Sequence, residues 1–174
     1  NTAFARGPAA ITGGLGGLGL CAAKMLVESG ASGVVLSSRS GRLAGLAIDA
    51  EKRAMVRMAA CDVGDAGDAL ALLAREPLVG VLHAAGAGDK GVLAELDARR
   101  VHWVRASKAT GAWHLQCTAA STCLVETRVL FSSVGSGLGN VGQANYAVAH
   151  ACLDAHASSE RARGTSACSL QWPL

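Results

Sequence analysis

A doubly wound parallel α/β sheet in three αβα layers is predicted on three observations: short apolar runs without alternation, glycine clusters after them, and helical spacing between them. The runs lie at residues 8–12, 33–38, 55–60, 79–84, 128–133 and 167–172. They are too short for helices, and their unbroken apolar character is that of strands covered on both faces. The 22 glycines cluster at 13–19, 30–45, 86–91 and 135–142, where tight turns should follow strands. Helical spacing marks residues 18–29, 43–53, 65–74, 101–120 and 143–161. Strands alternating with helices require crossover connections, hence a parallel sheet with helices on both sides. Neither a repeat nor a linker interrupts the pattern, so residues 1–174 are expected to form a single domain.

Composition excludes several classes of function. Of the 174 residues, 51% are hydrophobic and 17% charged, far from the polar composition of a disordered chain. The net charge is +3, basic residues are scattered, and aromatics make up 3%, so no stripe for phosphates or platform for bases is visible and nucleic acid is not an expected partner. No apolar stretch approaches the roughly 18 residues of a membrane span. Six cysteines at 21, 61, 117, 123, 152 and 168 include no CxxC pair and none at metal-site spacing from a histidine. They are read as reduced thiols of a cytoplasmic protein without a metal, a disulfide framework being the alternative. The chain opens at Asn1 without Met or a signal segment and stops at Trp172-Pro173-Leu174, which suggests a piece of a longer polypeptide.

The first strand runs into Thr12-Gly13-Gly14-Leu15-Gly16-Gly17-Leu18-Gly19 and then into a helix. Gly14, Gly16 and Gly19 satisfy GxGxxG, in which absent side chains let the backbone approach a pyrophosphate held at the helix N-terminus. Strand before and helix after make this a Rossmann-like dinucleotide turn. At the end of the second strand, Leu36-Ser37-Ser38-Arg39-Ser40 lacks the carboxylate that would accept from a ribose 2′-hydroxyl. Arg39, helped by Ser38, can pair with a 2′-phosphate, which argues for NADP(H) over NAD(H). In Cys61-Asp62-Val63, Asp62 can accept from the adenine amino group while Val63 packs against the ring.

Taken together, TGGLGGLG, CDV, VLHAAG, SKATGAWHL and FSSVGSGLGNVGQANYAVAHACLDA resemble the ketoreductase domains of modular polyketide synthases and animal-type fatty acid synthases, within the short-chain dehydrogenase/reductase superfamily. The resemblance covers residues 8–174 and is most specific over 131–155. It implies NADPH-dependent reduction of a β-ketoacyl thioester carried on the phosphopantetheine arm of an acyl carrier protein, alongside other synthase domains of the same chain. By the resemblance Tyr146, the only tyrosine, donates the proton, and Ser133, 13 residues earlier, binds the carbonyl oxygen. A phenol becomes a better acid beside a cation. Lys108 matches the lysine that these domains carry on the preceding helix, while His83, with Ala84, Ala85 and Gly86, should shape the cofactor pocket near the adenine ribose.

His150, four residues after Tyr146, stands where the family usually has Asn and is the main departure. Histidine can donate and accept, but it is larger and can titrate near neutrality. The two readings are a tolerated substitution in the proton relay and a disabled site. His102, His114 and His156 are expected to be structural or solvated. The family's Leu-Asp-Asp stereochemical marker reads Gly88-Asp89-Lys90, and the Trp of the opposite class is replaced by Leu138, so the hydroxyl configuration stays open. The lid helices that follow in the family lie beyond Pro173. Two other functions compete: a stand-alone reductase of a small carbonyl compound, and a non-catalytic reductase-like scaffold inside a synthase.

Overall fold

Unbroken apolar strands need cover on both faces; the inner strands of the sheet have it, whereas most residues of its two edge strands are exposed, contrary to the expectation. A computed structural model gives the structure of residues 3–42, 54–122 and 125–173. After a 3-10 turn at Ala3–Ala5, the elements are β1 (Ala9–Thr12), α1 (Gly17–Glu28), β2 (Val34–Ser38), β3 (Val56–Ala60), α2 (Ala66–Ala74) and β4 (Gly80–His83). A 3-10 turn at Leu93–Glu95 then leads to α3 (Ala98–Arg105), a π turn (Ala106–Thr110), α4 (Gly111–Thr122), β5 (Thr127–Ser133), the short α5 (Gly135–Leu138), α6 (Ala144–Ala162) and β6 (Ser166–Trp172).

Six strands form one parallel sheet in the order β3-β2-β1-β4-β5-β6. Successive side chains of a strand point to opposite faces, which sorts the core into two layers. Ile11, Leu36 and Leu82 stand in register on one face and pack with Ala23, Leu26 and Val27 of α1. Ala10, Val35 and Val81 face the other way, against Leu72 and Leu73 of α2 and Leu115 and Ala119 of α4. Farther along that second face, Leu130 packs with Ala112, Leu153 and Ala157, which fixes α6 against β5. Burying each such side chain contributes on the order of 2 kcal/mol.

The strand order reverses beside β1: the chain moves to β2 and β3, then returns to the other side as β4. Connections diverge there and leave a crevice at the carboxyl ends of the strands, where open α/β sheets bind ligands. Thr12 and His83 end the two strands that flank the reversal, and Ser133 ends β5.

Two further details differ from the expectation. The helix expected at 101–120 begins earlier, at Ala98 with Asp97 accepting from the Arg100 N–H at 2.8 Å, and it is interrupted by the π turn around Lys108. Neither α5 nor the two 3-10 turns were expected, because elements of three or four residues carry no periodicity to detect. The helix expected at 43–53 lies outside the described residues.

Within the layer beneath β5, the side chains of Arg128 and Glu160 form an ion pair at 12% and 4% exposure. Arg128→Met should lower stability by about 3 kcal/mol or more, because it strands a carboxylate where water cannot reach it. An unchanged urea unfolding midpoint would count against that role.

Candidate active site

The glycine turn is close-packed, and its demands fall on particular positions. Gly13 has φ +66°, and a Cβ there would lie 2.5 Å from the Ala85 Cα. A Cβ on Gly19 would come within 2.5 Å of the Gly13 carbonyl oxygen, so α1 can start this close to β1 only without a side chain. Nothing lies near Gly17. Gly16 caps α1 without a side-chain bond, which leaves first-turn N–H groups and the positive end of the helix dipole for an anion.

Beside this turn runs a groove of about 240 Å³, lined among others by Gly13, Gly16, Ser38, Arg39, Asp62 and Ala84–Gly86. Gly86 borders it where a Cβ would meet the Lys108 Nζ at 2.4 Å. Cys61 also lines it, with its thiol pushed up to about 11 by burial and then by the Asp68, Asp62 and Asp65 carboxylates, so it stays protonated. Asp62 accepts the Gly64 N–H at 3.0 Å. Arg39 is held in place: its guanidinium lies 4.8 Å from the centre of the Trp103 ring. Both line an adjoining hollow of about 280 Å³ together with His102. Trp103 was missed in the sequence, since one tryptophan on a helix carries no signal until the helix is set opposite β2.

Val63 lines the groove as well, and the rest of its side chain packs in the core with Ala69 and Leu72 at 4% exposure. Its carbonyl accepts the His114 Nδ1–H at 3.0 Å, which makes His114 structural. Leu18 lines a separate apolar hollow with Phe4, Met25 and Trp172. Contrary to the expectation, His83 is wholly buried and does not line the groove. Its Nε2 lies 3.0 Å from the Lys108 carbonyl and its Nδ1 2.7 Å from the Thr12 hydroxyl. A carbonyl can only accept, so Nε2 carries the proton and Nδ1 accepts from Thr12. Burial pushes this imidazole down to about 4, and the ring is neutral.

At the far end of the groove the π turn directs Lys108 inward. Its side chain is 7% exposed, has no carboxylate partner among the described residues, and holds its amine 5.6 Å from the centre of the Tyr146 ring. Burial lowers the Lys108 amine to about 8. The Ser133 hydroxyl accepts the Gly135 N–H at 3.1 Å and keeps its own proton to donate; the neighbouring Ser132 hydroxyl instead donates to the His150 carbonyl at 3.3 Å.

His150 packs its ring 4.2 Å from that of Tyr146, at 2% exposure, with both nitrogens unpartnered among the described residues. Burial, and then the charge of Lys108, push it down to about 3. The expectation of titration near neutrality is therefore corrected: a ring buried beside an ammonium stays neutral. Among the described residues no group of His, Cys, Asp and Glu is arranged to hold a metal, and no helix is long and apolar enough to cross a membrane.

Comparison with known proteins identifies the family. The KR-domain family model matches residues 7–174. Polyketide synthase GfsA of Streptomyces halstedii is 42% identical over 95% of the chain and 2% of its own length; mycoketide-CoA synthase of Mycobacterium tuberculosis is 39% identical over 98% and 4%. The first ketoreductase of the tylosin polyketide synthase superposes with TM-score 0.88 at 40% identity, covering 95% of this chain and 38% of that one. An A1-type ketoreductase gives 0.85 at 38%, covering 95% and 37%. The chain thus spans a small part of its curated relatives and under two fifths of these solved chains. On that match the chain belongs to the KR-domain family, the ketoreductases of polyketide synthases within the short-chain dehydrogenase/reductase superfamily.

Proposed function

We propose that this chain reduces a carrier-bound β-ketoacyl thioester to the β-hydroxyacyl thioester with NADPH, in polyketide assembly in the cytoplasm. The observation that carries the reading is the Lys108 amine, without a carboxylate partner among the described residues and buried against Gly86 and the Tyr146 ring at the end of a glycine-lined groove. The groove fits a dinucleotide: a close-packed glycine turn, an uncapped helix N-terminus and a stacked arginine occur along it in the order pyrophosphate and 2′-phosphate would need.

In this reading the backbone of Gly13, Gly14, Gly16, Gly17, Leu18 and Gly19 takes the pyrophosphate, Arg39 and Ser38 the 2′-phosphate, and Asp62 the adenine amine. The main chain of Ala84, Ala85 and Gly86 borders the ribose. His83 acts from behind, through Thr12 and the Lys108 carbonyl. When bound there, NADPH would supply the hydride that the β-carbon takes up. Ser133 donates a hydrogen bond to the carbonyl oxygen, and Tyr146 gives that oxygen its proton. The phenolate left behind is stabilised by the Lys108 ammonium, an opposite charge in a site largely closed to water. An acyl carrier protein would deliver the thioester, and the other domains of a synthase would supply and consume it.

A second reading, a non-catalytic scaffold, is raised by His150, whose ring lies beside that of Tyr146 with both nitrogens unpartnered among the described residues. A steady-state assay of NADPH oxidation with a short β-ketoacyl thioester analogue separates the two. Turnover that disappears in Tyr146→Phe supports the reductase. Tight NADPH binding without turnover, together with activity appearing in His150→Asn, would favour the scaffold.

Two further outcomes are expected. Removing a charge-assisted bidentate contact costs about 2 kcal/mol, so Arg39→Ala should weaken NADPH binding by roughly thirtyfold and NADH binding far less. Equal losses for both cofactors, measured by reduced-nicotinamide fluorescence, would remove the 2′-phosphate from its role. Because Lys108 is lowered to about 8, it is charged below that pH and loses its proton above it. kcat/KM should therefore be level near neutrality and fall above about pH 8, and a profile level up to pH 10 would exclude Lys108 as the working cation.

A further inference from the structure

The helix that carries Tyr146 starts without a conventional cap: Gln143 occupies the N-cap position and makes no side-chain bond there. First-turn N–H groups then need other acceptors. The Tyr146 N–H finds one in the Asn145 Oδ1, at 2.9 Å. Asn145 is 6% exposed, and its amide donates in turn to the Asp89 Oδ2 at 2.8 Å. Asp89 is gripped from its other side by Arg100, through Nη2 to Oδ1 at 2.8 Å and Nε to Oδ2 at 3.0 Å. That guanidinium also donates to the carbonyls of Lys90 at 2.7 Å and Glu95 at 3.2 Å, so it holds the loop that presents Asp89. The Arg100 hydrogen bonds, followed by that of Asn145, hold the Asp89 carboxyl below the usual carboxylate range.

A backbone link doubles this chain of bonds. The Gly91 N–H donates to the Gly142 carbonyl at 2.9 Å, just before the helix. A Cβ on Gly91 would sit 2.5 Å from the Arg100 Nη2, so a side chain at 91 would displace the guanidinium from this position. At its other end the same loop begins with Gly86, against the Lys108 amine. One loop therefore touches both the cation and the first turn of the helix that bears the phenol.

We propose that Asp89, Arg100 and Asn145 form a latch that sets Tyr146 relative to Lys108, each acting as a positioning residue for proton transfer. The stretch compared above with a stereochemical marker thus has a mechanical task in this chain. A carboxylate at a helix N-terminus is favourable in itself, and its pairing with Arg100 keeps net negative charge away from the phenol. Displacing a reacting group by about 1 Å can cost up to a hundredfold in rate, so the latch should show in kcat more than in binding.

The proposal rests on the reductase reading, and two measurements keep the two apart. The first is a double-mutant cycle on kcat with Asp89→Ala, Asn145→Ala and the pair, with Arg100→Lys as the variant that keeps the charge. Each alanine change should lower kcat roughly tenfold or more, the pair should lose no more than the worse single variant, and Arg100→Lys should lose less. NADPH affinity should stay within about twofold, since no residue of the glycine turn is touched. The second uses the fact that Tyr146 is the only tyrosine, so the full chain labelled with ¹³C at the tyrosine Cζ gives a single resonance. That resonance should move to the same new position in both alanine variants and in the pair. Additive losses, an unmoved resonance, or losses of kcat and NADPH affinity in parallel with a falling Tm would overturn the latch. Absence of turnover in the unaltered chain would overturn the reductase reading instead, and the resonance would still decide the latch.

Discussion

The Lys108 carbonyl accepts the Nε2 proton of His83, whose Nδ1 takes the Thr12 hydroxyl, and the architecture of the site depends on that buried bridge. It joins the end of β1, the end of β4 and the π turn, three places that the chain visits far apart in sequence. Burial keeps the ring neutral, so donor and acceptor do not exchange as pH changes in the physiological range. Gly111 has the same origin, since a Cβ there would come within 2.8 Å of the Val63 Cγ2 and 3.2 Å of the His83 Cε1. With the turn pinned, the extra residue in its hydrogen-bonding ring aims Lys108 into the site.

Burial of cationic and imidazole groups dominates the electrostatics beyond that bridge. Lys108 is lowered, and so is His150 beside the same ammonium. Near neutrality Lys108 is therefore mostly charged while His150 is neutral. In such a setting an ammonium is worth more to a developing phenolate than it would be in water. Asp89 is paired with Arg100 and directed at the helix start.

Much of this was legible in the chain itself. Non-alternating runs located six strands to within a residue or two, but the burial they implied holds only for the inner strands, since β3 and β6 lie at the sheet edges and are largely exposed. The glycine turn was legible because close backbone approach excludes every side chain at Gly13 and Gly19. Ser133, Tyr146 and Lys108 were singled out by spacing and resemblance, and the fold sets Lys108 over the Tyr146 ring. Trp103, Asn145 and Arg100 were not singled out. Their partners lie across the sheet or along a loop, and nothing in a local window distinguishes a surface tryptophan or arginine from one that a distant residue will meet.

Local chemistry thus determined the strands, the turn and the identity of the groups able to carry a proton, because period, side-chain size and functional groups are properties of short segments. Tertiary structure alone decided which of them stay ionised and which way they face. It placed His83 behind the groove, buried Val63 in the core, neutralised His150, and brought Asp89 to the helix of Tyr146. The physical reason is that desolvation and hydrogen-bond partnership belong to an environment assembled from distant parts of the chain.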